Sequence, residues 1–259
     1  MEILYVVVGV ISGITSGLFG LGGGTIIVPI MLSLGFGVQQ AIGISVLQMI
    51  FASVVGSIIN YKKKLFSLKD GALLGLGGVI GASFSGMVLK VLSETQLTFL
   101  FLCLMCFSFY KFLKKKPVEM GQNQEAISQL RYISILILAG AITGIFAVSL
   151  GVGGGLIMMP ILMYFLGFNT KYISVLSLFF IVCSSISGAF SLWRNQVIDS
   201  DILSIGLIVG ISAIVGVSIG IYLIQKITAH LHKSILSCIY IFAICVTIYH
   251  LFEAYLTSK

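Results

Sequence analysis

Two glycine runs govern how this chain can fold. The first, Gly22-Gly23-Gly24, lies in Gly20-Leu-Gly-Gly-Gly-Thr-Ile-Ile-Val-Pro29, and the pattern returns as Gly151-Val-Gly-Gly-Gly-Leu-Ile-Met-Met-Pro160. Each glycine costs a helix interior about 1 kcal/mol relative to alanine, so each run breaks its helix. The apolar stretches that follow, 25–34 and 156–166, carry a proline near their start, where a missing N–H is tolerated. This pattern predicts a half-helix beginning at the glycines. Within a membrane, unwound backbone survives only where protein or water satisfies it. A half-helix N-terminus there offers free N–H groups and the positive end of a dipole to an anion.

A membrane is where such segments belong, because 58% of the 259 residues are apolar and 9% are charged. With a mean hydropathy of +1.15, the chain cannot present a soluble surface. It offers roughly seven to nine apolar segments of about 20 residues, the length of a crossing helix. These runs are continuous rather than alternating, which argues against a β-barrel. The formal charge of +7 gathers at the ends of apolar segments, which suits membrane orientation and not nucleic acid. The start, Met-Glu-Ile-Leu-Tyr-Val-Val-Val, lacks a positive n-region, so no cleavable signal peptide is expected. Cys103, Cys106, Cys183, Cys238 and Cys245 lie in apolar segments and read as small packing hydrophobes. The expected class is an all-α, multi-pass protein of the cytoplasmic membrane with the lipid bilayer around it and no cofactor or metal.

A polar linker, 114–131, divides the chain into a first membrane repeat, 1–113, and a second, 132–259. Leu34-Gly-Phe36 matches Leu166-Gly-Phe168, and at the same offset Ser45 meets Ser177, Ser53 meets Ser185 and Gly56 meets Gly188. Gly81-Ala-Ser83 matches Gly216-Val-Ser218, and Gly17-Leu-Phe19 aligns with Gly144-Ile-Phe146. The expectation is two pseudo-symmetric repeats of four segments each. The loops 62–69 and 114–131 are basic and expected in the cytoplasm, with 90–94 on the far side. In the second half, loop 193–201 is slightly acidic and loop 226–233 basic, so the partner loops have changed sides. That favours inverted over parallel repeats. Inverted repeats make each glycine segment a re-entrant hairpin; parallel repeats make it a broken helix that crosses once.

All eight acidic residues sit at segment ends or in loops, so no proton relay through a buried carboxylate is expected. His230, His232 and His250 also lie near ends. Small polar residues populate the spans, most of them for helix packing. Ser45, Gln48, Ser53, Ser177 and Ser185 stand out, because the serines recur in register after the half-helices and would line one cavity. The N–H groups of Gly23, Gly24 and Thr25, together with those of Gly154, Gly155 and Leu156, could cradle a small anion. Lys171, just past the second half-helix, either draws anions in or snorkels to the interface. The candidate substrate-binding set is Gly22, Gly23, Gly24, Thr25, Ser45, Gln48, Gly153, Gly154, Gly155, Ser177, Ser185 and Lys171.

The duplicated glycine-to-proline motifs, each followed by a serine-bearing span and a basic or Trp-bearing loop, resemble the TauE/SafE family of sulfite exporters and related permeases. The resemblance covers both halves. It implies transport of a small sulfur-containing anion such as sulfite or an organosulfonate. Where the family's pattern has a Thr-Ser pair, this chain has Ile44-Ser45 and Leu176-Ser177, so only the serines carry over. A carrier working by alternating access is the expected function. A passive anion channel and a membrane scaffold are the alternatives. An enzyme is not expected: Gly216-Val-Ser218 opens like a serine-nucleophile motif, but no histidine lies in a facing span.

Overall fold

A computed structural model describes residues 2–113, 128–224, 226 and 229–257. Most of the linker, including Glu119 and Glu125, lies outside the described residues, as do the side chains of His230, His232 and Glu253. The described residues fold into helices joined by short turns, with no strand among them. The helices of the first half are α1 (Glu2–Phe19), α2 (Gly24–Ser33), α3 (Val38–Lys62), α4 (Leu68–Ser83), α5 (Ser85–Val91) and α6 (Glu94–Leu113). Those of the second half are α7 (Gln129–Ser149), α8 (Gly155–Leu166), α9 (Thr170–Arg194), α10 (Ser200–Leu223) and α11 (Ala229–Thr257).

Six described helical stretches are long and apolar enough to cross a membrane: α1, α3, the α4–α5 pair, α7, most of α9 and α10. Four shorter apolar helical stretches accompany them among the described residues: α2 and α8 after the glycine runs, Glu94–Tyr110 within α6 and Ser237–Phe252 within α11, the last two just under a crossing length. The α4–α5 span breaks at Phe84, where the hydroxyls of Ser83 and Ser85 donate to the carbonyls of Ile80 and Ala82, both at 2.7 Å. Such back-bonding loosens the helical ladder and bends it. α7 starts at Gln129, inside the stretch read as linker, with the Ser128 hydroxyl accepting from Arg131 N.

The helices pack in two groups through small residues. Along α1, Gly9 meets Val209 and Ser212, Gly13 meets Ala213, and Gly17 meets Val217 and Gly220 of α10. Residue numbers rise together, so α1 and α10 run the same way. α3 joins them in that direction, with Gly43 beside Ile202, Leu47 beside Gly206 and Phe51 beside Gly210. In the second group, α4 runs with α7, pairing Gly77 with Ile137 and Gly81 with Ala141. α4 also runs with α9, where the Ser187 and Ser191 hydroxyls donate to the Val79 and Ser83 carbonyls. Without a hydrophobic drive between helices in lipid, such close approach is what holds them together. The groups meet along α3 and α9, where Gly56 touches Leu178, and Met49 and Ile181 share Gly22 as a neighbour.

Outward positions such as Ile80, Leu138, Ile211 and Val215 are exposed apolar side chains, as a lipid-facing surface requires. Cys103, Cys106, Cys238 and Cys245 are also exposed, so they do not pack inside as expected; only Cys183 turns inward, toward Gly75 of α4. Their segments form the outer layer, where a small apolar side chain meets lipid at no cost.

Candidate functional site

The two glycine loops meet in the core. In the first, Gly20, Gly22 and Gly23 take left-handed conformations, with φ of 65°, 75° and 78°. In the second, Gly151 and Gly153 do so, at 63° and 82°. This region costs other residues about 1–2 kcal/mol each, which explains the glycines. All six glycines of the two triplets are buried. A Cβ on Gly22 would stand 3.1 Å from the Gly153 Cα, and one on Gly153 equally near the Gly22 Cα.

Each loop is fastened by the other half. The Ser45 hydroxyl donates to the Gly151 carbonyl at 2.7 Å, and the Ser177 hydroxyl donates to the Gly20 carbonyl at 2.7 Å. Ser177 also lies 2.9 Å from the Ser174 carbonyl. The same two loop carbonyls press on the opposite triplets: a Cβ at Gly24 would collide with the Gly151 oxygen, and one at Gly155 would meet the Gly20 oxygen at 2.6 Å. Ser53 and Ser185, by contrast, turn to carbonyls of their own helices at 3.3 and 3.5 Å.

The surroundings of the loops then diverge. Gln48 is fully buried, and neither its Oε1 nor its Nε2 has a hydrogen-bond partner in the protein. The amide is packed on the first loop, since a Cβ at Gly23 would stand 2.9 Å from Nε2 and 3.0 Å from Oε1. Thr25, on the first turn of α2, has a buried Oγ1 that is also unpartnered. A bare buried polar group costs roughly 1–3 kcal/mol, so these atoms are expensive unless something uses them. In the second loop, Leu156 stands where Thr25 does, and the ring of buried Phe180 stands against Gly154. Ser16 and Thr143, which precede the matched Gly17 and Gly144, are likewise buried with unpartnered hydroxyls.

Lys171 is apart from the loops. It is exposed and lies on the wall of an open cavity of about 320 Å³ with Gly17, Asn60, Tyr172, Ser174 and Leu178. The cavity lies between the two helix groups and reaches Ser174, whose backbone touches Gly20. The glycines, Thr25, Ser45, Gln48 and Ser177 are therefore brought together, while Lys171 stands at a mouth and Ser185 bonds within its helix.

Two features escaped the sequence reading. Asp70 is buried in the first turn of α4, accepting from the Tyr132 and Tyr172 hydroxyls at 2.7 Å each. Tyr172 OH also accepts from Ser67 N at 3.3 Å. The acid does lie at a segment end, but α7 and α9 close over it. Phe180, in register with Gln48, was legible by extending the offset that pairs Ser45 with Ser177.

The chain matches the family described as Sulfite exporter TauE/SafE over residues 5–247. It is 28% identical over 214 residues to the probable membrane transporter protein YunE of Bacillus subtilis, covering 73% of this chain and 77% of that one. It is 27% identical over 250 residues to the probable membrane transporter protein MJ0441 of Methanocaldococcus jannaschii, covering 91% of both. No solved structure matches it. With the family match running through both glycine loops and nearly end to end, the chain belongs to the sulfite exporter TauE/SafE family of membrane transporters.

Proposed function

We propose that the chain carries a small sulfur-containing anion, such as sulfite or an organosulfonate, across the cytoplasmic membrane. It binds the anion between the two glycine loops and works by alternating access. The observation behind this reading is the meeting of two helix N-termini in the core beside unpartnered polar atoms. The N–H groups of Gly24 and Thr25 precede the first bond of α2, from Ile26 N to Gly23 O. Those of Gly155 and Leu156 precede the bond from Met158 N to Gly154 O in α8. Such donors hold an anion by dipoles instead of full charge, so the ion can also leave. The family's name supports a sulfur oxyanion as the substrate.

The running directions of the helices support inverted repeats. α1 and α3 both run with α10, so α2 returns the chain to the side where α1 began; α7 and α9 both run with α4, so α8 does the same for its half. Asn60 shares a cavity wall with Lys171 and Ser174, and Met49 stands near Ile181, so α3 and α9 run oppositely. Each loop is then a re-entrant hairpin, and the hairpins enter from opposite faces. The group α1, α3, α10 rocks against the group α4, α7, α9, with the cavity between them as the open side. The basic loop 62–69, whose Leu65 lines that cavity, supports a cytoplasmic opening on this side.

Counterflow of labelled sulfite in proteoliposomes tests the reading, with thiosulfate, small sulfonates and chloride as competitors. Saturable uptake competed by sulfur anions is the expected result. Unitary currents without counterflow would make the protein a channel.

A further inference from the structure

We propose that the site selects a singly charged oxyanion that still carries a proton, such as hydrogen sulfite, and that Gln48 is the residue that reads this proton. This rests on the anion-carrier reading above and narrows its substrate.

Charge comes first. No lysine, arginine or histidine stands in the triplets, in α2 or on the stretch of α3 that faces them. The ionisable groups of the packed elements lie toward helix ends: Glu2 and Tyr5 on α1, Tyr61 and Lys62 on α3, Lys171, Tyr172 and Arg194 on α9, and Asp201 and Tyr222 on α10. On the other elements that pack there, Glu94 and Tyr110 of α6, Arg131 and Tyr132 of α7, Tyr164 of α8, and Tyr249 and His250 of α11 also lie toward the ends. Mid-helix, Cys183 turns to Gly75, Tyr240 stacks on Phe109, and Cys103, Cys106, Cys238 and Cys245 are exposed. Solvation energy grows as the square of charge, so a dianion buried among dipoles alone loses far more than a monoanion.

Hydrogen bonding gives the same answer. Helix N-termini only donate, which suits bare anionic oxygens. Gln48 brings both a donor and an acceptor, and both are unpartnered in a fully buried side chain against Gly23. Whichever way the amide is turned, one of its atoms needs a proton from the ligand, and a fully ionised oxyanion has none. Hydrogen sulfite donates its proton to Oε1 while its other oxygens accept from Nε2, the Thr25 hydroxyl and the α2 N–H groups. The second half offers Phe180 and Leu156 at the matching places, so the recognition is one-sided. Each anion moved takes one proton with it.

The test is uptake of labelled sulfite by wild-type proteoliposomes at fixed total sulfite, with equal pH on both sides, across the second ionisation of sulfurous acid. A lumenal pH dye reads proton arrival. Uptake is expected to follow the hydrogen sulfite fraction, falling about tenfold per pH unit above that ionisation, with lumenal acidification. Uptake that holds or rises as the dianion takes over would overturn the inference and leave the anion carrier standing. No saturable uptake at any pH would remove the carrier reading itself. Gln48→Leu and Gln48→Glu then test the residue. Each is expected to raise the KM for hydrogen sulfite at least about tenfold, with folded protein confirmed by monodisperse elution. An unchanged KM in either variant would take Gln48 out of the site.

Discussion

The two glycine loops of this chain are alike in their frame and different in their chemistry. Ser45 and Ser177 make the same bond to the opposite loop, at the same 2.7 Å. The segments that flank the loops are also alike, with Tyr5 on Phe36 and Tyr132 on Phe168, both edge-on at 6.4 Å. At the tips the likeness stops. Gly23 is left-handed beside an unpartnered amide, whereas Gly154, at φ −73°, is right-handed beside a phenyl ring. On the proposed function, the matched serine bonds are the parts that move as a pair, and the first loop alone is left to hold a ligand. On that proposal, both halves share the frame and recognition belongs to the first.

The largest effect should come from an added methyl group at the two tips. Gly23→Ala forces alanine into a left-handed conformation, at about 1–2 kcal/mol, and places its Cβ 2.8 Å from the Ser12 carbonyl as well as against Gln48. Sulfite counterflow is expected to vanish, and trimming Gln48 to alanine should not restore it. Gly154→Ala has ordinary backbone, and the nearest atoms to its Cβ belong to the Phe180 ring and the Ile181 side chain. Its transport should return when Phe180→Leu is added. Equal failure of both tips, rescued by neither partner change, would return the site to a symmetric one.

Asp70 sharpens the contrast next. It accepts from two tyrosines and ties the first turn of α4 to α7 and α9. Matching α4 to α10 through Gly81 and Gly216 puts apolar Ile205 opposite it, so α10 has no carboxylate at the matching place in the group of α1, α3 and α10. Asp70→Asn turns an acceptor facing two donors into a group that must donate from one side. A loss of roughly 1–3 kcal/mol is expected, read as a lower melting midpoint in detergent. Ile205→Ala, in the other group, should leave the cavity side undisturbed. If Asp70→Asn melts like the wild type but its flux collapses, the carboxylate serves transport and not the fold.

How much of this was open to the sequence depends on whether a feature is periodic or emergent. The helical class and the broken segments follow from hydropathy and from the glycine runs, which act locally. The pairing of Ser45 with Gly151 does not, because it requires the halves to interlock, and no pattern along one strand of sequence encodes which carbonyl a hydroxyl will meet. Ser45 and Ser177 were legible as recurrent, but their partners turn out to be backbone of the facing loop. Asp70 was legible as a residue at a segment end and illegible as a buried one, since its burial comes from Tyr132 and Tyr172, distant in sequence.

The shared fastening gives a prediction of near equality. Ser45→Ala and Ser177→Ala each remove one buried bond to a loop carbonyl, worth about 1 kcal/mol, and should lower the melting midpoint by similar amounts. Both should slow transport modestly through looser loops. A collapse of sulfite affinity in one alone would mark that serine as a ligand contact.

The smallest effect belongs to Lys171, and it separates attraction from recognition. Its exposed ammonium stands at the cavity mouth, beyond Ser174 from the first loop. A charge there steers anions through a field that salt screens over about 10 Å at 0.1 M. Lys171→Gln should therefore reduce uptake only a few-fold at low ionic strength and converge on the wild type as salt rises, with the order of competing anions unchanged. A reduction that persists in high salt, or a changed order, would move Lys171 from the mouth into the binding step. The cradle would then carry a full charge, and the penalty that disfavours a dianion at the glycine tips would weaken with it.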